Sequence, residues 1–489
     1  MIPTTRPKLE LLSPELVEKI VEEGLALLER HGAFIENPEA LALLKAAGAR
    51  PDESGLRVRL DRALVRECLA STPATITMYD RSGEKAYTVG GDEVHFDPGS
   101  AAVALLDHRT GRERKAVTKD LVAFCKLEET LEHIHFQSTG LISTDVPAGV
   151  SDGYRLYLGL LLSSKPCVTG TFRVEGFRPM LDMLAAVRGG EEELARKPLA
   201  IFDACPSPPL KWSHLTAQSL VDSARAGVPS ELISMGMTGA TSLATISGTL
   251  VQHVAENLSG LVICQLARRG APVIFGGSPS SFDMRKGTTP MGAIETMLID
   301  AAYVQVGKRL KLPTHAYMAL SDSKLNDVQS GVETAMGAVL GALAGVNVIS
   351  GPGMLDYEST QSLEKLCLDN EICGMAYRLL ESVAQREEPM ALDKFETYKL
   401  GDSFLTHPHT RQWYRKEHTL PKLMDRDPYE AWVVAGRTTA LARAHKDVGE
   451  RIARYALPSL PDDLRRELRK IMSRYGKTQG LSRLPRAAV

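Results

Sequence analysis

Residues 313–351 read PTHAYMALSDSKLNDVQSGVETAMGAVLGALAGVNVISG. The apolar run Thr314–Met318 is too short for a helix, and it follows Pro313, whose missing N–H is tolerated at the start of a strand. A polar loop comes next. Asp327 has the side chain to accept backbone N–H bonds as a helix cap, and Gly345 has the freedom to close that helix in a left-handed conformation. A second apolar run, Asn347–Gly351, follows at once. Strand, loop, helix and strand in this order make a parallel crossover unit, which is right-handed in nearly all proteins.

The same unit recurs on both sides. Strands are expected at Val94–Pro98, Ile134–Leu141, Cys167–Phe172, Ala200–Ala204, Leu232–Met237, Val273–Gly276, Thr314–Met318 and Asn347–Gly351. Helices are expected at Thr118–Glu132, Ser151–Ser163, Val174–Arg188, Ser213–Ala226, Ser247–Arg268, Gly292–Lys308, Asp327–Ala344 and Ser362–Ser382. Eight strand–helix pairs between residues 94 and 383 predict an α/β protein with a (β/α)8 barrel. Ser213 is a second expected cap and Pro272 a second proline ahead of a strand. A hairpin-like insert, Ala101–Ala116, follows the first strand. Residues 1–93 and 384–489 form N-terminal and C-terminal extensions, both mainly helical. The first opens with a helix from Ser13-Pro14 to His31, closed by Gly32; the second holds a late helix near Pro461–Tyr475. Trp413, Tyr414 and Tyr429 are expected to seal the barrel or an oligomer contact.

Composition removes several function classes. The 58 basic and 60 acidic side chains leave a net charge of −2, so no nucleic-acid partner is expected, and the only basic run is Arg465–Lys470. No apolar run reaches the ~18 uncharged residues of a membrane span, and the polar start Met1–Glu10 is not a signal peptide. Seven widely spaced cysteines with no C-x-x-C pair argue against a disulfide framework and for a reduced, cytoplasmic setting. Phosphate-binding, dinucleotide-binding and nucleophile-elbow motifs are absent. His407-Pro-His409 is the closest pair of potential metal ligands, but the proline argues for a loop and no third ligand is apparent, so no metal is expected.

Barrel enzymes carry their chemistry at the C-terminal ends of the strands. Those ends offer Asp97, Ser100, Thr139, Thr169, Thr171, Asp203, Cys205, Met235 and Met237, then His315 and Tyr317. Glycines dominate two loops, at Gly276 and Gly277 and at Gly351 and Gly353. Lacking a Cβ, they would let a large flat partner approach the backbone, or would merely relieve crowding.

Several longer stretches carry a resemblance: Phe275–Gly287, Met291–Glu295, Ser321–Thr334, Ala344–Leu355 and Phe404–Thr410. Together they resemble signature segments of the trimethylamine methyltransferase family, with likeness over nearly the whole chain. The resemblance implies a (β/α)8 barrel that demethylates an amine and passes the methyl group to a corrinoid (cobalamin) held on a separate protein. It also implies a homo-oligomer. Archaeal trimethylamine enzymes of the family carry pyrrolysine in the stretch matching Gln329–Glu333. Ordinary residues stand here, with Val332 or its neighbour at that place. Members without pyrrolysine act on quaternary amines, glycine betaine foremost, then proline betaine and carnitine; another N-methyl compound, trimethylamine included, is the alternative substrate. A quaternary nitrogen leaves as a neutral amine and needs no proton, so the protein's work is positioning and electrostatics. No D-x-H-x-x-G corrinoid motif is present, so the cofactor is expected on the partner.

For a quaternary head, candidate cation–π faces are Tyr317, Phe172, Phe282, Tyr357 and Phe96, each also able to serve as packing. Glu295 is an acidic partner or a supporting residue. Asp322 and Gln329 lie where the pyrrolysine enzymes hold their reacting group. A betaine carboxylate would want Arg285, Arg173 or His315; Arg285 has an alternative partner in Asp283. The glycine loops would admit the corrinoid face. Readings of a different class, a barrel lyase or hydrolase or a ligand-binding barrel, would call for a bound divalent metal.

Overall fold

The computed structural model describes residues 3–99 and 101–485. Eight short strands form its centre: β1 (His95–Asp97), β2 (Gln137–Ser138), β3 (Cys167–Thr169), β4 (Ala200–Ala204), β5 (Ser230–Ser234), β6 (Val273–Gly277), β7 (His315–Tyr317) and β8 (Val348–Ser350). Parallel ladders join β2, β3, β4, β5 and β6 in that order, and β7, β8 and β1 in a second run. A parallel bridge between Phe275 and Thr314 links the two runs. The ring closes where the N–H groups of His135 and Phe136 donate to the carbonyl of Phe96, at 3.0 and 3.2 Å, and where Ala102 bridges Leu141. Each expected strand is present, and the ladders occupy two to five residues of each.

A helix follows every strand: α1 (Thr118–Glu129), α2 (Ser151–Leu162), α3 (Val174–Arg188), α4 (His214–Ala226), α5 (Ile246–Ala267), α6 (Ile294–Arg309), α7 (Val328–Ala344) and α8 (Leu363–Leu380). Their ends obey the local chemistry. Asp327 accepts from the N–H of Ser330 at 3.1 Å, and Gly345 closes α7 at φ 74°. Ser213 accepts from the N–H of Thr216 at 3.2 Å, and Gly227 closes α4 at φ 70°. Pro272 and Pro313 lack an N–H, yet their carbonyls accept from Ser230 and Phe275 on the neighbouring strands.

The N-terminal end of the barrel is plugged. An antiparallel hairpin, Thr75–Tyr79 with Ala86–Gly90, clusters its Ile76, Met78, Tyr87 and Val89 with Phe136, Val168, Ile201, Ile274 and Val348 from inside the barrel. Burying each such side chain stabilises by about 1.5–3 kcal/mol. Apolar residues therefore fill the floor, and the polar interior lies at the other end. The segment before the barrel holds helices Pro14–Arg30, Pro38–Ala46 and Arg62–Ser71 and five short strands, more β structure than its apolar pattern predicts. The insert after β1 is a hairpin, Ala104–Asp107 with Arg112–Lys115.

After α8 come helices Leu392–Glu396, Pro408–Glu417, Tyr429–Val434, Ala440–Arg454 and Asp462–Thr478. The first three bury no residue, and Tyr414 and Tyr429 lie open, so neither tyrosine seals the barrel within one chain. No described helix is long and apolar enough to cross a membrane.

Candidate active site

Strand register builds the site. Asp97 of β1, Ser350 of β8 and Tyr317 of β7 stand in line across three strands, and Asp203 of β4 stands beside Glu231 of β5. Asp97, Glu231, His315 and Ser350 are fully buried. They form a chain. The Nδ1 atom of His315 lies 2.8 Å from Oε1 of Glu231, off the best hydrogen-bond direction. Its Nε2 lies 2.9 Å from Oγ of Ser350, and that hydroxyl donates to Asp97 at 2.5 Å (Oδ1) and 2.8 Å (Oδ2).

Proton positions follow from these contacts. Ser350 spends its proton on Asp97, so Nε2 of His315 donates to Ser350, and Nδ1 is left with a lone pair. Burial lowers His315 to about 4, which keeps the ring neutral near pH 7. Burial also pushes the Glu231 carboxyl well above the usual range. Asp97 is pushed up to about 7 by burial, against the opposing pull of Ser350 and His315.

Glu358 completes the acidic group. Asp356, Tyr357 and Glu358 take φ values of 49°, 54° and 65°, three consecutive residues other than glycine in the left-handed region. Each costs on the order of 1–2 kcal/mol, so the surroundings must hold them. The pair Met354–Leu355 with Thr360–Gln361 clamps the loop at its base. The N–H of Asp356 donates to the carbonyl of Ser323 at 3.0 Å, and Lys324 contacts Asp356 at 3.1 Å. The enclosed Oε1 of Glu358 has no hydrogen-bond partner among the described residues. Burial, then Asp97 and Asp203, raise its carboxyl well above the usual range.

Other residues singled out by sequence fall into three groups. His315 and Tyr317 are at the site, with the two rings edge to face at 4.7 Å and Tyr317 buried. Phe172, Phe282 and Tyr357 lie on loops at this end, but two of these rings already carry a cation: Arg155 sits 4.5 Å over Phe172, and Lys324 sits 4.0 Å over Tyr357. Phe282 is half-buried, with its N–H 3.4 Å from Oγ1 of Thr238. Phe96 points outward, edge to face on Tyr377 of α8 at 5.4 Å, because it alternates with the inward Asp97.

The third group lies outside the acidic chain. Asp322 accepts from the N–H groups of Met291 and Gly292, both at 2.9 Å, and so fastens the loop after β7 to the start of α6. Burial raises its carboxyl to about 6. Glu295 is exposed in the first turn of α6, and Gln329 is exposed on α7, where it donates to Glu333 at 2.9 Å. Val332 is also exposed. Arg285 grips Asp283 through two contacts, at 3.0 and 2.8 Å, which holds that carboxyl down at about 2. The glycines correct their expected role as a landing surface, since all four are buried. A Cβ on Gly276 would sit 3.1 Å from His315, one on Gly277 2.5 Å from His253, and one on Gly351 2.8 Å from Leu320. Gly353 needs φ 87° and abuts Gln361. They make room for neighbouring side chains.

Ser100 lies outside the described residues. His407 caps the helix Pro408–Glu417 and His409 pairs with Glu387 at 2.9 Å. A different cluster, His108, Glu364 and His445, brings its ligand atoms within 4.8 Å of one another. Its rings stack face to face at 3.7 Å, unlike two imidazoles radiating from one ion.

Glu231 escaped the sequence reading because its strand was begun at Leu232. Ser350 lies within the expected strand Asn347–Gly351 with nothing to single it out, and nothing in Asp356-Tyr-Glu358 signals an acid with an enclosed oxygen.

The comparisons with known proteins bear on what such a site does. The sequence profile described as trimethylamine methyltransferase (MTTB) matches residues 1–480. The chain belongs to that family. Among relatives of this methyltransferase is the trimethylamine methyltransferase MttB of Desulfitobacterium hafniense (strain DSM 10664 / DCB-2), 30% identical over 471 residues, 96% of this chain and 95% of the relative. The glycine betaine methyltransferase of Desulfitobacterium hafniense (strain Y51) is 31% identical over 476 residues, 97% of this chain and 98% of the relative. The trimethylamine methyltransferase MttB of Methanosarcina thermophila is 31% identical over 467 residues, 94% of this chain and 96% of the relative. In fold the methyltransferase is similar to the monomethylamine methyltransferase (MtmB) of Methanosarcina barkeri, with a TM-score of 0.53, 11% identity, and 92% and 90% of the two chains covered. That likeness agrees with the (β/α)8 barrel expected from the sequence.

Proposed function

We propose that this methyltransferase moves a methyl group from a quaternary amine to the cob(I)amide of a separate corrinoid protein. The observation that carries the reading is the convergence of Asp97, Asp203, Glu231 and Glu358 on the C-terminal end of the barrel, opposite the apolar plug. Enclosed acids are costly to ionise, and a bound cation relieves that cost. A quaternary ammonium meets the demand permanently, at any pH. Tyr317 offers an aromatic face nearby, worth up to ~2 kcal/mol for a desolvated cation.

The surface around this pit fits a bound partner. Val103 after β1, Phe172 after β3, Met235 and Leu243 after β5, Met284 after β6 and Leu325 after β7 are exposed apolar side chains on loops of one face. Such a rim suits the flat face of a corrinoid delivered by another protein. When bound, the corrinoid supplies the cobalt nucleophile. The chain's own residues hold the ammonium head in line, keep water from it and balance its charge. Asp97 changes protonation as the cation binds, since a positive charge within a few ångströms favours the carboxylate. The leaving amine departs neutral and needs no acid.

A reducing cytoplasm fits the seven free cysteines, six of them buried. The open apolar side chains of residues 383–434 fit a contact between copies of the chain. Glycine betaine is the first quaternary amine to measure, because one relative carries it in its name. Enzyme, reduced corrinoid protein and amine are mixed anaerobically and the corrinoid spectrum is followed. Conversion to the methylated form that depends on enzyme and amine is expected. No conversion with any quaternary amine, with the partner present, refutes the reading.

A further inference from the structure

The cations near the strand ends differ in how far their donors are already spent. Arg285 is bound twice to Asp283, and Lys286 beside it is exposed on the same loop. Arg173 donates to Gln479 at 2.8 Å. Lys324 contacts Asp356 at 3.1 Å and donates to the carbonyl of Asp322 at 2.7 Å. Lys365 is buried against Asp369 and Thr334.

Arg155 differs from all of these. It lies in the first half of α2 and is fully buried. Its Nη1 donates to the carbonyl of Thr139, just past β2, and its guanidinium carbon lies 4.5 Å from the ring centre of Phe172, beyond β3. No carboxylate among the described residues comes within ion-pair range, Asp152 and Asp203 acting on it only from farther off, and its Nε has no hydrogen-bond partner. Burial lowers its pKa to about 10, so it stays a cation at neutral pH. A guanidinium takes a carboxylate through two parallel N–H bonds along one edge of its fork. Thr139 occupies Nη1, and the edge that carries Nε is unspent.

That edge has a defined place in the barrel. Thr139 and Thr169, their hydroxyls 3.1 Å apart, mark the ends of β2 and β3, with Arg155 coming in from α2 beside them. Across the barrel stand Glu231 of β5, His315 of β7 and Ser350 of β8, the chain that ends on Asp97. Both oxygens of Glu231 and Oε1 of Glu358 are enclosed without a hydrogen-bond partner among the described residues. The pit thus has a positive side and an acidic side, and each keeps polar atoms unsatisfied. A simple cation leaves the first side unmet, and a simple anion leaves the second. A zwitterion meets both and adds no net charge.

We infer that Arg155 seats a substrate carboxylate, so that the amine is a betaine held across the barrel, its carboxylate on the β2–β3 side and its methylated nitrogen on the acidic side. The inference rests on the function proposed above; it names the second charged group of the substrate and the residue that positions it. Phe172, 40% exposed, then covers the guanidinium and is not a face for the ammonium.

Calorimetry without corrinoid compares glycine betaine, proline betaine and carnitine, each with its own carboxamide, and uses tetramethylammonium to probe the ammonium side alone. At least one betaine is expected to bind about 10- to 100-fold more tightly than its amide, the range of a charge-assisted contact. Arg155→Met, which keeps the length and loses the charge, is expected to erase that preference while tetramethylammonium binds no more weakly, and Arg155→Lys to restore part of it. For methyl transfer to a reduced corrinoid protein, kcat/KM is expected to follow the same ratios. Amides that bind the parent as tightly as the betaines overturn the inference without recourse to a variant, and leave the reaction class standing. Equal weakening of betaine and tetramethylammonium by Arg155→Met makes the residue structural and overturns it too. No transfer from any of these amines, with the partner present, overturns the function itself.

Discussion

Ser350→Ala isolates the element that tunes the site. The substitution removes one oxygen from a fully buried residue, leaves no bulky cavity, and breaks the link between His315 and Asp97. The hydroxyl's bond to a carboxylate is charge-assisted, worth about 1.5–3 kcal/mol. At 1.36 kcal/mol per pKa unit, its loss raises Asp97 by about 1–2 units above its present position near 7. Cation binding requires the ionised form, so affinity climbs with pH through the pKa of Asp97. Calorimetric titration of tetramethylammonium or choline between pH 5.5 and 9.5 is therefore expected to show a rise centred near 7 in the parent. In the variant the rise is centred about 1–2 units higher, with affinity at pH 7 reduced roughly tenfold or more and nearly restored at pH 9.5. An unmoved midpoint, or a loss of affinity that high pH does not recover, refutes the account of Ser350 and Asp97.

Three further outcomes are expected. In the empty enzyme Asp97 has a folded pKa raised from 3.8 to about 7, so its stabilising contribution is lost as pH rises between those values. Asp97→Asn should thus raise Tm at pH 8 more than at pH 4, by an amount on the order of 1–4 kcal/mol in stability, while weakening the cation. Gly337→Ala should destabilise by about 3 kcal/mol in denaturant melts, because α7 lies so close to the carbonyl of Met318 that an added methyl overlaps it. Arg285→Ala should leave transfer kinetics within about twofold, since among the described residues the guanidinium engages Asp283 alone, on an exposed loop; surface ion pairs of this kind contribute ~0–1 kcal/mol.

The fold was legible because its signals are local and repeated. Asp327 and Gly345, or Ser213 and Gly227, bracket helices by chemistry that needs no tertiary context. The plug was not legible. Thr75–Tyr79 and Ala86–Gly90 alternate like any half-buried hairpin, and only the barrel's interior says what they face. The site divides in the same way. His315 and Tyr317 stand out as polar residues at the end of an apolar strand, and Asp97 and Asp203 terminate recognisable strands. Glu231 hides inside its strand. Glu358 reaches the pit only because a left-handed turn, costly in isolation, is held by partners as distant in sequence as Ser323 and Lys324. Phe96 shows the converse error: one residue of register separates a ring facing the site from one facing the helices.

The hairpin beneath the barrel also sets traffic. With the floor stopped by packed side chains, a molecule bound among Asp97, Glu231 and Glu358 would enter from the C-terminal ends of the strands. Any protein that covers that end to collect a methyl group also shuts it. On the function proposed above, the small molecule enters before its large partner lands, and the demethylated remnant waits until the partner lifts away. On that function, the sealed floor by itself imposes an order of arrival and departure.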